Sequence, residues 1–296
     1  MPHPAQRRLR LPSPAAAALA CLVLAGCGGG AVKPSAPAQQ AAAMEANRKG
    51  EAYFRRGELE SAARSFQEAL RVSQSLEDPE GIAANAINLS IVHQRLGNYA
   101  EARESLAPVL EHARLAFSPD RLAQASLRRA VLDLDEQHAA SAGEWVGRAE
   151  SHCARRCALA AAIFNVKGQL ALDAGRPDAA AAAAKSALDA SRSSGDRAES
   201  ANALRLLGYT AIRTGDAAGA AARLQEALAI DRELAAPRKI HLDLVALGRA
   251  SALRGEREAA RAYYERALSV SEAERDARGV AEARALIDGL GSAVSR

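Results

Sequence analysis

Residues Gly50–Leu70 read GEAYFRRGELESAARSFQEAL, and the way this stretch folds decides the rest of the chain. Small residues stand at Gly50, Gly57, Ala62 and Ala69, with bulky apolar ones at Tyr53, Phe66 and Leu70. On either side of Gly57 the apolar residues recur at helical spacing, which predicts two antiparallel helices joined by a tight turn. The small residues let one helix backbone lie close against the other, and the large ones fill the space beside that contact. Such a hairpin cannot bury its apolar face alone. It needs copies of itself.

The copies are present. They read SIVHQRLGNYAEARESLAPVL at 90–110, GQLALDAGRPDAAAAAAKSAL at 168–188, GYTAIRTGDAAGAAARLQEAL at 208–228 and GRASALRGEREAARAYYERAL at 248–268, with a worn copy, AVLDLDEQHAASAGEWVGRAE, at 130–150. The turn anchors fall at Gly57, Gly97, Gln137, Gly175, Gly215 and Gly255, a period of 40 residues with one step of 38. The pattern resembles the tetratricopeptide repeat family in a longer form whose unit carries extra helical turns. The resemblance is carried by the first-helix glycines Gly50, Gly168, Gly208 and Gly248, the turn glycines, and the second-helix alanines Ala62, Ala102, Ala142, Ala180, Ala220 and Ala260. It spans residues 43–282 and implies an all-α, right-handed α-solenoid of about six helix hairpins. Ser90 and Ala130 depart from the first-helix glycine and Gln137 from the turn glycine, which makes the third unit the weakest match. The segment 278–292, with Val280, Ala283, Leu286 and Ile287 on one face, is expected to form a helix capping the last repeat.

Ahead of the repeats, Arg7, Arg8 and Arg10 precede an apolar run of 12 residues, Ala15–Gly26. That is shorter than the roughly 20 residues a spanning helix needs, and with its basic flank it reads as a signal peptide over 1–26. Leu24-Ala25-Gly26-Cys27 resembles the lipobox of bacterial lipoproteins, a resemblance that implies lipidation of Cys27 and cleavage before it. Gly28 stands where similar lipoproteins often carry an aspartate that marks inner-membrane retention, so the resemblance implies the outer membrane, facing the periplasm. Residues 27–42 are rich in glycine, proline and alanine and read as a tether.

Composition narrows the partners. Of the 39 basic side chains, three arginines leave with residues 1–26, so 36 basic groups face 35 acidic ones. That balance argues against a nucleic-acid reader. Beyond Cys21 and Cys27 the cysteines are Cys153 and Cys157. An exported pair favours a disulfide; two free thiols, or a metal site using His152, are the alternatives. The histidines are scattered, and no nucleophile, phosphate-loop or dinucleotide motif appears, so no enzyme activity, metal or cofactor is expected. Trp145 reads as core.

In the resembled family the first helices line the concave side. Counting from each turn, the inward-facing candidates are Asn47, Glu51, Phe54, Ile91, Gln94, Arg95, Asn165, Gln169, Arg205, Tyr209, Arg213 and Arg249, with Asn88 close by. Amides can meet the backbone of an extended peptide and guanidiniums its carboxylates. Arg205, Arg213 and Arg249, on successive repeats, point to an acidic segment or a C-terminus as ligand. The expectation is a lipid-anchored scaffold for a protein partner in pilus, secretion or outer-membrane assembly. A glycan- or peptidoglycan-fragment-binding lipoprotein and a structural self-association module are the alternatives.

Overall fold

The computed structural model describes residues 38–111, 115–153 and 157–292, with side chains as far as residue 290. Cys27, the 1–26 segment and the first part of the tether lie outside them. Among the described residues there are fourteen helices and no strand. They form six hairpins in chain order. The first three are α1 (Ala38–Arg55) with α2 (Leu59–Ser75), α3 (Pro79–Leu96) with α4 (Tyr99–Glu104) and α5 (Ala107–Leu110), and α6 (Pro119–Asp135) with α7 (Ala139–His152). The second three are α8 (Ala160–Asp173) with α9 (Pro177–Ser194), α10 (Arg197–Arg213) with α11 (Ala217–Glu233), and α12 (Pro237–Leu253) with α13 (Arg257–Ala273). A final helix, α14 (Ala277–Ser292), covers the last hairpin. The chain is an α-solenoid. No described helix is long and apolar enough to cross a membrane.

Each hairpin turns in the same way. Gly57, Gly97, Gly175, Gly215 and Gly255 take positive φ, the left-handed region that glycine enters without a Cβ penalty. The next residue's N–H then reaches back to close the turn, as in Glu58 N–H to Tyr53 O at 3.0 Å and Asp216 N–H to Ala211 O at 2.9 Å. Gln137 adopts the same conformation, φ 62, without glycine's freedom, yet its turn closes through His138 N–H and Asp133 O at 2.7 Å. Prolines open α3, α6, α9 and α12, where no intrahelical N–H is needed.

The alanines lie at the close contacts. Ala62, Ala102, Ala142, Ala180, Ala220 and Ala260 are all fully buried. A Cβ at Gly50 would stand 2.7 Å from the Phe66 ring, and one at Gly208 would stand 2.6 Å from Leu224 Cγ. Gly50, Gly208 and Gly248 are therefore slots for a large residue of the second helix, Phe66, Leu224 and Tyr264, whose burial contributes about 1.5–3 kcal/mol, while the slot at Gly168 takes Leu206 of α10.

Two local departures stand out. The second hairpin's outer helix is broken between Glu104 and Ala107, where one continuous helix is expected from the repeat pattern. Pro108 explains it, because it lacks an N–H and its ring clashes with the carbonyl four residues back. The third hairpin, the weakest by sequence, is continuous in both helices. The other departure is at the chain's start: α1 begins at Ala38, so residues 38–42, read as tether, are helical.

The step of 38 falls where α7 and α8 are each 14 residues long, against 17 or 18 in α9 to α13. Between them a disulfide joins Cys153 and Cys157, with Cα atoms 5.1 Å apart. At the far end α14 is tied down by Glu282, which meets Arg249 Nη2 at 3.1 Å and His241 Nε2 at 3.5 Å. The solenoid also curves back on itself: Arg278 of α14 donates to the Tyr99 hydroxyl of α4 at 3.3 Å.

Candidate functional site

A cavity of about 700 Å³ opens on the inner side of the solenoid. Its walls come from the first helices alone: Ile87 of α3, Gln124 to Asp135 of α6, Leu159 to Asp173 at α8, Glu199 to Tyr209 of α10, and Lys239 and Leu242 of α12. The apolar part is Leu127, Val131, Leu134, Val166, Leu206 and Leu242, and the amides are Gln124, Asn165, Gln169 and Asn202.

The polar groups are already partly committed. Asn165 Nδ2 donates to Glu199 Oε2 at 2.7 Å, while its buried Oδ1 has no partner. Gln169 Nε2 holds Asp173 at 2.8 Å. Arg128 donates to Gln94 Oε1 at 2.6 Å and to the Ser90 carbonyl at 3.0 Å. Lys239 Nζ donates to Asn202 Oδ1 at 2.9 Å. Burial pushes Lys239 down to about 8, helped by the Arg205 charge, and pushes Arg128 down to about 10. Burial also drives the Tyr209 phenol up to about 12.

Arg205 does something different from what its position in the sequence predicts. It is 4% exposed and joins two buried carboxylates, Asp243 through Nε at 2.6 Å and Asp231 through Nη2. Its remaining nitrogen donates to Asn202 at 2.9 Å. Burial, opposed by the Arg205 charge, raises Asp243 to about 7, and its Oδ2 has no hydrogen-bond partner. The Arg205 charge is consumed inside the fold. The expected trio of free arginines does not form: Arg213 is exposed and away from the cavity, and Arg249 is paired with Glu282.

Of the other inward candidates, Asn165, Gln169 and Tyr209 line the cavity. Glu51 and Asn88 line a second, smaller hollow of about 180 Å³ with Phe54, Phe66 and Ile91. Arg95 lies 5.7 Å over the Phe54 ring, and Asn47 is spent on buried Asn85 at 2.7 Å. Sequence reasoning missed Gln124, Arg128, Asn202 and Lys239. The signal was available: Asn202 precedes its turn glycine by 13 residues and Lys239 by 16, so the extra turns of a 40-residue unit carry the inner face further from the turn. Asp133, Glu136 and His138 also bring three ligand atoms within 4.8 Å of one another, but Asp133 is held by Arg129 and Ser141 and Glu136 by Arg103.

Comparison with known proteins agrees with this geometry. Tetratricopeptide repeat models match residues 40–107 and 244–274, so repeats of this kind are present in the chain. No curated protein matches the sequence significantly. Among solved structures, a Rap protein complexed with competence and sporulation factor is similar in fold at 14% identity and TM-score 0.62, over 84% of this chain and 70% of that one. BtubC from P. vanneervenii is similar at 20% identity and TM-score 0.51, over 81% and 94%. A STAND protein with a tetratricopeptide repeat sensor from Pyrococcus horikoshii gives 14% identity and TM-score 0.59, over 84% of this chain and 37% of that one. At these identities the likeness is one of fold. A tetratricopeptide repeat fold is in turn an architecture for holding a protein partner.

Proposed function

We propose that this is a non-catalytic, lipid-anchored scaffold that holds a protein or peptide partner in the cell envelope, in a pilus, secretion or outer-membrane assembly role. The observation that carries the binding part is the inner cavity, where amides and apolar side chains from five successive first helices face one space. A peptide needs both: backbone groups satisfied by amides, side chains received by apolar walls. The anchoring part rests on the Leu24–Cys27 motif behind its basic and apolar flank. Two or more acyl chains give stable membrane attachment where one does not. Glycan binding has less support, since Tyr209 is the single aromatic in the cavity lining and sugar rings are held by stacking.

The test combines both parts in intact cells. A photoreactive residue replacing Val166, on the cavity wall, is expected to crosslink to one defined envelope protein. The same residue replacing exposed Ser193 on α9 is expected to give no such product. Mass spectrometry of the purified protein is expected to show an acylated N-terminal cysteine, lost in Cys27→Ser. Crosslinks recovered only to other copies of this chain, or an unacylated protein in the cytosol, would overturn the reading.

A further inference from the structure

The curvature of the solenoid brings together cations that are far apart in sequence. Arg128 of α6 and Lys239 of α12 line the same cavity. Arg128 reaches across to α3 through Ser90 and Gln94, and the Arg95 and Arg128 guanidiniums both feel the charge of Arg238, the residue beside Lys239. Arg128 and Lys239 thus face the inner side together, and Arg238 is close enough to both, and to Arg95, to act on them electrostatically. Among the described residues none of the four forms an ion pair.

Their partners are neutral. Arg128 is held by a backbone carbonyl, a hydroxyl and an amide oxygen, and Lys239 by an amide oxygen. The carboxylates of the cavity are held in turn by amides: Glu199 by Asn165, Asp173 by Gln169, and Asp135 by Gln94. Asp276 and Glu274 offset Arg95 electrostatically, Asp135 offsets Arg128, and Glu199 and Asp231 offset Lys239, none of them at ion-pair distance. Cation and carboxylate are kept apart here, although each would bind the other strongly, and the cations are partly dehydrated as well. Elsewhere the chain closes such pairs readily, as at Arg205 with Asp231 and Asp243. Partly desolvated cations that close no ion pair gain from a carboxylate brought into direct contact, because the charge-assisted hydrogen bond is then formed away from water.

We propose that Arg95, Arg128, Arg238 and Lys239 form an anion-recognition site that receives the carboxylates of an acidic segment in the partner, whose apolar side chains enter the adjoining cavity. This rests on the scaffold reading and adds the partner's chemistry. An acidic peptide fits better than a nucleic acid, because the lining offers one aromatic ring and no stacking platform for successive bases. It also differs from the arginine trio that the sequence alone points to, since Arg205 is neutralised and Arg249 paired.

The experiment is an anisotropy titration of the full chain with two fluorescein-labelled peptides of equal length. One alternates glutamate with leucine; the other has glutamine at every glutamate and an amidated C-terminus. The acidic peptide is expected to bind at least tenfold more tightly, and the difference to shrink in high salt. Lys239→Gln and Arg128→Gln are each expected to weaken it about tenfold. Arg238→Gln, which removes no hydrogen bond or ion pair of the fold, should weaken it severalfold with the circular dichroism spectrum unchanged. Arg213→Ala should leave it as it was. Equal affinity for the two peptides would overturn the anion site and leave the scaffold reading standing. Binding of neither peptide would also overturn it, with the Val166 crosslink deciding separately whether a partner occupies the cavity. Binding of a uronic-acid polysaccharide in place of the acidic peptide would overturn both.

Discussion

Arg205→Met should destabilise the protein severely, and the size of the loss can be worked from its surroundings. Asp231 and Asp243 are 2% and 0% exposed, and Arg205 is the cation both of them contact. Once it is gone, two adjacent buried carboxylates must either stay charged without a counter-ion or take up protons. Asp243, already raised to about 7, is neutralised at little cost near neutral pH. Protonating a second carboxylate of ordinary pKa at pH 7 costs about 4 kcal/mol. Breaking a buried pair by removing one partner costs about 3–5 kcal/mol, which agrees. For a chain of this length that corresponds to a fall in melting temperature of about 10 °C. The sign of the pH dependence is fixed. The folded variant holds protons on carboxylates that the unfolded chain releases above about pH 4, so its deficit shrinks as pH falls, by about 1.4 kcal/mol per unit for each such group. Thermal and urea unfolding at pH 7.5 and 5, followed by circular dichroism, measure this directly. A loss under about 1 kcal/mol, or one that grows on acidification, would refute the assignment of Arg205 as a structural counter-ion.

Four further outcomes follow from particular contacts. In the parent protein Asp243 is raised in the folded state, so stability should decline as pH rises toward and through 7; Asp243→Asn should flatten that slope in melts between pH 5.5 and 8.5. Gly208→Ala drives a methyl into Leu224, so about 1–3 kcal/mol of overpacking outweighs about 1 kcal/mol of helix propensity, whereas Gly143→Ala, with open space around it, should stabilise by about 1 kcal/mol. Urea midpoints moving the same way for both would count against the slot. Gln137→Gly relieves a left-handed non-glycine turn and should raise the melting temperature, by about 0.5–1 kcal/mol of stability. Cys153→Ser with Cys157→Ser opens a short loop worth about 2 kcal/mol and should speed hydrogen exchange in α7 and α8 first; uniform exchange along the chain would sink that localisation.

The turns were legible because left-handed backbone leaves a mark in composition: five of the six anchors are glycine, and the sixth is set by period alone. The glycine slots were legible for the same reason, since a missing side chain on one helix pairs with a large one on the next. Pro108 was equally plain by the proline rule, yet aligning the copies hides it, because the pattern supplies a helix where the chain cannot continue one. The fate of Arg205 was beyond reach. Its partners lie 26 and 38 residues away, in the second helix of its own hairpin and the first helix of the next, and no local pattern tells a spent arginine from a free one. The cavity was half visible: candidates within ten residues of the turn were identified on the glycine-anchored units, whereas Asn202 and Lys239, further from their turns, and every lining residue of α6, whose turn carries Gln137, were not.

The bond between Tyr99 and Arg278 has a consequence for how the protein comes apart. A stack of repeats normally frays from its ends, because each unit leans only on its neighbours and the terminal ones have least to lose. Here the start of α14 is also held by the second hairpin, 179 residues earlier, so peeling the C-terminus must break a contact near the N-terminus at the same time. The array behaves less like a zip than like a clasped bracelet.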